Sequence, residues 1–371
     1  MNQGTDLITA PGTFLAWPST EEEGDEAWTP PEADPTPRLG VVLVNYKGSS
    51  DTLECLESLL RSDIPLRVAV VDNASGDNSE QVIREWADGK TLYATPEGPL
   101  AALTTPPLDK PVQIEVIDGD EALAHAPGDR TLTLIRSASN LGFAGGNNLG
   151  IRYLLKDPNI EAVWLLNNDT VVEPAAARAL LSTIRSDPSH GMIGTVIRYY
   201  HAPEKLQALG GMTFNALTGA NAGIHGNKPF KSPWDGRAAA RQAACVLGAS
   251  LTVTRRFVET VGLMSEAYFL YFEEMDWARR NADRFSIGFA RGSVIYHKHG
   301  GSIGSSAKKG GRSAQSEYWL LRARLLFYRK YHPVLLPVIW LQGAAQTARR
   351  VLRRQPESVK AMTKALLFRP L

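Results

Sequence analysis

Cysteine is scarce: Cys55 and Cys245 are the two in 371 residues. They stand far apart in apolar surroundings, which argues against a disulfide framework, and no Cys/His ligand spacing points to a zinc site. Both read as buried thiols of a reducing compartment. Long hydrophobic runs are missing too. The longest uncharged stretch near the tail, residues 333–348, spans 16 positions and contains two prolines. A membrane-spanning helix needs ~20 apolar residues. No basic start followed by an apolar core opens the chain, so no secretory leader is expected. Net charge is close to nil at +1, while 43% hydrophobic and 21% charged residues fit a globular protein with one large domain or two smaller ones.

The small net charge hides an asymmetry. Residues 1–38 hold eight acidic residues and one Arg, whereas residues 317–371 hold eleven basic residues and two Glu. The first segment, rich in Pro and Glu, reads as a flexible acidic arm. From Glu317 onward, aromatic residues and Leu alternate with Arg and Lys. That basic amphipathic pattern suits an anionic membrane surface; the alternative is a helical tail packed on the domain with its basic face in water. The basic residues gather in this tail rather than across the domain, so nucleic acid is not an expected partner.

Between these ends the chain alternates strand and helix. LGVVLVN is a buried-strand pattern ending at Asn45, and DTLECLESLLRS is helical, with Asp51 in capping position. LRVAVVD ends a second strand on Asp72, and SEQVIREWA follows as a helix. This rhythm predicts an α/β fold, a mostly parallel open twisted sheet with flanking helices. Residues 89–130 break the rhythm and read as an insertion or long loop. RTLTLIRS is a strand, and NLGFAGGNNLGI a Gly/Asn loop running into a helix. AVWLLN and GMIGTVIRYY are strands; residues 201–244 read as loops and a hairpin. A later strand ends at His297.

The strand ends carry the chemistry. Ligands of open parallel sheets bind outside the carboxyl ends of the strands, where Asn45, Asp72, Asp169 and His297 should converge. Asp72 could accept hydrogen bonds from a base or ribose; the competing reading is an Asx turn with Ser75. The Gly/Asn segment from Asn140 through Gly142 to Gly150 could bring bare backbone to a ligand, and Asn147 and Asn148 add amide donors and acceptors. It is neither a dinucleotide fingerprint nor a phosphate loop of the Walker kind. Asp169 is the metal candidate, an oxygen donor suited to Mg2+ or Mn2+, and a nitrogen from His297 would favour Mn2+. The segment YFLYFEEMDW places Glu273, Glu274 and Asp276 in apolar surroundings, where carboxylates need a partner or a task. One acid to bind a cation and another to take a proton are the elements of metal-assisted group transfer.

VVLVNYKGSSDTLECLESLL, VVDNASGDNS, NLGFAGGNNLG, WLLNNDTVVEP, CVLGASLTVTRR, YFLYFEEMDWARR and VIYHKHGGSIG resemble the family-2 glycosyltransferases with the GT-A fold. The likeness is strongest to the bacterial branch of rhamnosyltransferases and galactofuranosyltransferases, and it runs from about residue 39 to 332. It implies a catalytic domain over residues 39–316 and a basic helical region over 317–371. It implies inverting, metal-dependent transfer from a nucleotide-diphosphate sugar, with dTDP-L-rhamnose favoured. The acceptor would be a lipid-linked or growing glycan of a cell-surface polysaccharide, at the cytoplasmic face of the plasma membrane. By the resemblance Asp72 contacts the base, and Asn45, Asn140, Gly142, Asn147 and Asn168 line the donor site. Asp169 is the last acid of the metal motif, whose first acid is here Asn167, and His297 is the late metal ligand. Glu274 is the catalytic base, with Glu273 and Asp276 near enough to compete or support. Gly248 and Ala249 border the acceptor, and Ser265 stands where relatives often have Asp. Two other classes compete with this reading. A nucleotidyltransferase would bring a Gly-rich loop with Arg and Lys near the first strand, where only Lys47 and Gly48 stand. A non-catalytic sugar-nucleotide-binding scaffold of a polysaccharide assembly complex would have no use for Glu274.

Overall fold

The computed structural model describes residues 36–298 and 312–371, so the expected N-terminal arm lies almost wholly outside the described residues. The strands are β1 Leu39–Asn45, β2 Leu66–Asp72, β3 Ile114–Asp118, β4 Leu132–Arg136, β5 Ala162–Asn167, β6 Thr170–Val172, β7 His190–Tyr199, β8 Ala202–Leu209, β9 Met212–Asn215, β10 Ala220–Gly223, β11 Ser250–Thr254 and β12 Ser286–His297. The helices are α1 Ser49–Leu59, α2 Ser79–Ala87, α3 Gly119–Ala124, α4 Gly142–Leu154, α5 Ala176–Ser186, α6 Gly236–Gln242, α7 Arg255–Val261, α8 Glu273–Asn281, α9 Ala314–Tyr331, α10 Leu336–Leu352 and α11 Pro356–Leu366.

Ten strands form one sheet in the order β3-β4-β2-β1-β5-β11-β7-β12-β6, with β8 paired to β7. From β3 to β5 every pairing is parallel. β11 runs antiparallel between β5 and β7, and β12 returns parallel to β7. The mixed α/β class with a mostly parallel sheet is thus the observed one. β1 and β2 are buried on both faces, as parallel strands covered by crossover helices must be.

Alternation along these strands feeds two cores. Val41, Leu43, Val68, Val70 and Trp164 pack under α1, α2 and α5, while Val42, Ala69, Val71, Val163 and Leu165 pack under α4, α7 and α8. Each large apolar side chain taken fully out of water contributes ~1.5–3 kcal/mol. Cys55 and Cys245 are both free and buried. A third apolar cluster joins Tyr268, Phe272 and Met275 to Tyr318, Leu325 and Phe327 of α9 and to Met362 of α11. Tyr318, Phe327 and Tyr328 of the basic tail therefore face the domain.

Four expectations need correction. Residues 89–130 are not all loop: β3 and α3 extend the parallel sheet by one strand. β3 is an edge strand with one fully buried residue, so its apolar pattern is faint. The buried Glu57 of α1 fastens the rest of this insertion, accepting from Trp86 Nε1 at 2.7 Å, Leu108 N at 2.8 Å and Lys110 Nζ at 3.0 Å. Residues 201–244 hold more than loops and a hairpin: β8 joins the main sheet and α6 precedes β11. Asp51 does not cap α1; it lies in the first turn and pairs with Lys298 Nζ at 2.6 Å.

The Gly/Asn segment is helix rather than loop, because α4 begins at Gly142. Its glycines let the helix axis approach β1. A Cβ on Gly146 would stand 3.0 Å from Val44 Cγ1, and one on Gly150 would stand 2.6 Å from Val42 Cγ1. Val42 is fully buried on a central strand and β-branched, so it cannot swing aside. Gly150→Ala should therefore cost about 1–3 kcal/mol of stability by overpacking, read by urea unfolding. An unchanged midpoint would mean that α4 does not rest on β1 in solution.

Candidate active site

The carboxyl ends of the strands meet along one edge. β1, β2 and β12 end on Asn45, Asp72 and His297, and the turn after β5 carries Asn168 and Asp169. Register places Asn45 opposite Asp72, Val44 opposite Asn167, and His297 opposite Thr170.

At one corner, amides orient an acid. The buried Asn45 donates from Nδ2 to Asp72 Oδ1 at 2.8 Å and to Ser75 Oγ at 3.1 Å, while its Oδ1 accepts from Thr52 at 3.0 Å. Ser75 donates to Asp72 from both its hydroxyl and its backbone N–H. The Asx turn and a presented carboxylate are thus the same structure. Asn73 ties this corner to the start of α4: it donates to Asn140 Oδ1 at 3.1 Å and Gly142 O at 3.0 Å, and accepts from Leu141 N at 3.0 Å. Gly142 has φ +69°, and a Cβ there would lie 2.3 Å from Phe269 O, so a side chain is barred.

In the middle, Asp169 Oδ1 lies 3.2 Å from His297 Nε2, and both side chains are nearly buried. His297 Nδ1 is 2.9 Å from Gln207 Oε1. With the amide oxygen accepting, Nδ1 carries hydrogen and Nε2 turns toward the carboxylate. Asn167 Nδ2 stands 3.4 Å from the same Nε2. One carboxylate oxygen and one imidazole nitrogen converging in this way fit Mn2+ and can serve Mg2+. Among the described residues no three His, Cys, Asp or Glu side chains form a metal cage, so further donors would have to come from a diphosphate and water. The next residue, Lys298, donates its backbone N–H to Asp169 O at 3.0 Å and binds Asp51 and Glu54 of α1 through Nζ.

The acid cluster starts α8. Tyr271 and Phe272 both adopt left-handed backbone, φ +71° and +69°, immediately before Glu273. Glu274 is half-buried, with its carboxylate against Gly248, where a Cβ would come within 2.1 Å of Oε1. Burial pushes the Glu274 carboxyl up, against the backbone N–H groups of Glu274 and Gly248, which favour its charged form. Glu273 is 2% exposed, and its Oε2 finds no hydrogen-bond partner among the described residues. Burial first, then the neighbouring Glu274, hold its carboxyl well above the ordinary range. Asp276 is different. Burial would raise it, but Lys330, Arg280 and Tyr331 outweigh that and lower it. Its oxygens meet Arg280 Nε at 2.7 Å, Lys330 Nζ at 2.7 Å and Tyr331 OH at 2.8 Å.

A chain of contacts joins the acids to the centre. Gly248 touches Glu274, its neighbour Ala249 accepts from Asn167 N at 3.0 Å, and Asn167 reaches His297. Some expected ligand contacts are spent inside the protein. Asn147 donates back to Phe143 O at 2.9 Å, and Asn168 to Thr52 Oγ1 at 2.9 Å. Sequence reading missed Asn73, Gln207 and Lys298, and it named Asn148 only as an amide donor and acceptor of the Gly/Asn segment. Asn148 instead holds the loop before the acids through Met264 O, Met264 N and Glu266. Asn73 sat beside a residue already singled out; Gln207 lay in weakly patterned sequence and carried no signal.

No family model matches the chain. The low-salt glycan biosynthesis hexosyltransferase Agl10 of Haloferax volcanii is 27% identical over 169 residues, covering 43% of this chain and 49% of that protein. The match thus spans about half the length of the curated relative. Among solved structures, the mannosyltransferase PcManGT from Pyrobaculum calidifontis, in complex with GDP-Man and Mn2+, superposes with a TM-score of 0.48 at 15% identity, covering 91% of this chain and 78% of that one. S. aureus TarS in complex with UDP-GlcNAc gives 0.47 at 11% identity, covering 89% and 81%.

The Glu273–Glu274 pair makes stability depend on pH. A carboxyl raised in the folded state keeps its proton where the unfolded chain has lost it. Folding then takes up protons, and stability falls as pH climbs from the ordinary value of 4.5 toward the raised one. Glu273→Gln removes that titration. The variant should match the parent at about pH 5 and melt higher than the parent at about pH 8. An equal offset at both pH values would place the proton elsewhere.

Proposed function

We propose that this protein is a metal-assisted glycosyltransferase of the GT-A kind. It moves a sugar from a nucleotide-diphosphate donor to a hydroxyl of a glycan or lipid-linked glycan, with inversion at the anomeric carbon. The observation that carries this reading is the contact path from the Asp169–His297 pair through Asn167 and Ala249 to Gly248 and Glu274. It would join a cation seat on the sheet edge to a half-buried base at the start of α8. Agl10 supports it as a hexosyltransferase by name. The motif resemblance favours dTDP-L-rhamnose as donor and the cytoplasmic face of the membrane as the place of work.

Each residue then has a task. Asp72, preset by Asn45 and Ser75, accepts hydrogen bonds from the nucleoside. Asn140 and Gly142 shape the neighbouring wall. Asp169 and His297 would hold Mn2+ or Mg2+. When bound, the cation supplies charge neutralisation for the departing diphosphate. Glu274 takes the proton of the acceptor hydroxyl while its oxygen bonds to the anomeric carbon and the sugar–phosphate bond breaks on the opposite face. Such help is worth ~10²–10⁴ in rate. Glu273, kept neutral, spares Glu274 a second negative charge. Asp276, already neutralised, anchors α8 rather than acting as a base. Gly248 leaves room for the carboxylate, and Gly248 and Ala249 border the acceptor.

Glu274→Gln should lower turnover by ~10²–10⁴ and leave donor binding intact, measured by nucleotide release beside calorimetric donor titration with dTDP-, UDP- and GDP-sugars. Normal turnover in this variant would sink the assignment of the base. No response to any donor by the folded parent would sink the enzyme reading. Because the charged form of Glu274 is the active one and its carboxyl is raised, kcat/KM should rise with pH through an apparent value above the ordinary carboxylate range. A profile flat down to about pH 5 would count against it.

A further inference from the structure

Helix α10 leaves one face uncovered. Its inner side, Ile339, Gly343 and Thr347, is buried, with Gly343 against Leu321 of α9 and Leu366 of α11. On the other side Val338, Leu341, Ala345, Ala348 and Leu352, continued by Val334 of the turn before the helix, recur at helical spacing, and all are exposed. Val334 is 88% exposed, Leu341 62% and Leu352 84%. This is a continuous apolar stripe of the kind that marks an interaction surface. Arg349 and Arg353 lie along one edge of it, both exposed, and the helix contains no acidic residue. No helix among the described residues is long and apolar enough to cross a membrane, so this stripe can meet a bilayer only from the side.

We propose that α10 is the docking surface for an anionic lipid bilayer. It lies in the plane of the interface, with the Val338–Leu341–Ala345 stripe among the acyl chains and Arg349 and Arg353 at the headgroups. The charge pattern selects this occupant. An apolar stripe edged by arginines matches an anionic interface. A second copy of the same face would bring only cations to meet those cations. The site is narrower than the sequence pattern implied, because α9 turns its aromatic residues into the domain while α10 keeps its apolar side outward. The inference does not depend on the catalytic reading.

The test is co-sedimentation of the full chain with vesicles of phosphatidylcholine, with and without about 30% phosphatidylglycerol, at low and high salt. The parent should pellet with anionic vesicles and be released by salt. Val338→Asp with Leu341→Asp, both at exposed positions, should keep the parent's circular dichroism and melting temperature and lose at least about tenfold in partitioning. Arg349→Gln and Arg353→Gln should each weaken it about fivefold. Failure of the parent to bind anionic vesicles overturns the proposal. So does binding that the aspartate pair leaves unchanged. A concentration-dependent dimer lost in the aspartate pair, without vesicle binding, would give the face to a second copy instead.

Discussion

The structure turns on a strained bend. Tyr271 and Phe272 are bulky residues with left-handed backbone, a conformation that costs ~1–3 kcal/mol each and persists only where the surroundings over-determine it. Here α9 does so. Phe272 sits 5.2 Å from Phe327 and 6.4 Å from Phe214, and Tyr271 shares a 2.7 Å hydrogen bond with Ser316. One turn further on, Lys330 and Tyr331 bind Asp276. A buried carboxylate that loses its charged partners is destabilising by ~3–5 kcal/mol, so this ion network fixes α8 as firmly as the aromatic packing does. The direction of Glu274 is a consequence of the C-terminal helices, although none of them reaches it.

The sheet edge is organised on another principle. Its groups are placed by neutral amides: Asn45 orients Asp72, Gln207 orients His297, and Asn73 fastens the start of α4. An amide satisfies a buried polar neighbour without adding charge. Asn45 thus orients Asp72 through a hydrogen bond alone. Lys298 brings a cation close, but Asp51 and Glu54 of α1 engage its ammonium. What remains of it for the site is a backbone bond to Asp169. The same logic separates Glu273 from Glu274. Burial and the neighbouring Glu274 hold Glu273 well above the ordinary carboxylate range, whereas Glu274 is raised by burial against two backbone N–H groups.

Much of this was legible in the chain, and the reasons differ by element. β1, β2 and β5 announce themselves because burial on both faces demands unbroken apolar runs. Their polar last residues then mark the ligand edge. β3 hides because an edge strand needs little apolar surface. The glycines of α4 misled for a physical reason. Gly146 and Gly150 look like loop residues, yet they serve close packing against Val44 and Val42, a tertiary demand that local propensity cannot express. Among the acids, Glu273, Glu274 and Asp276 look alike in sequence. The third is set apart by Arg280 one turn on and by Lys330 and Tyr331, more than fifty positions away. Gln207 could not be found at all, since a single amide in weakly patterned sequence gains meaning only when β8 pairs with β7 and carries it to His297.

The C-terminal helices thus serve two surfaces at once. On the inner side α9 clamps the bend that aims Glu274; on the outer side α10 exposes its apolar stripe. Between them the packing is close, since a Cβ on Gly343 would come within 2.8 Å of Leu321 Cδ1. A further ion pair joins Arg350 to Glu317. Interfaces packed to this density shift as units rather than deform. A bilayer held against α10 would therefore fix the distance and tilt of the acid loop above the lipid surface. Under the two proposals above, that rigid relation would hold Glu274 at a fixed height for an acceptor anchored in the same membrane.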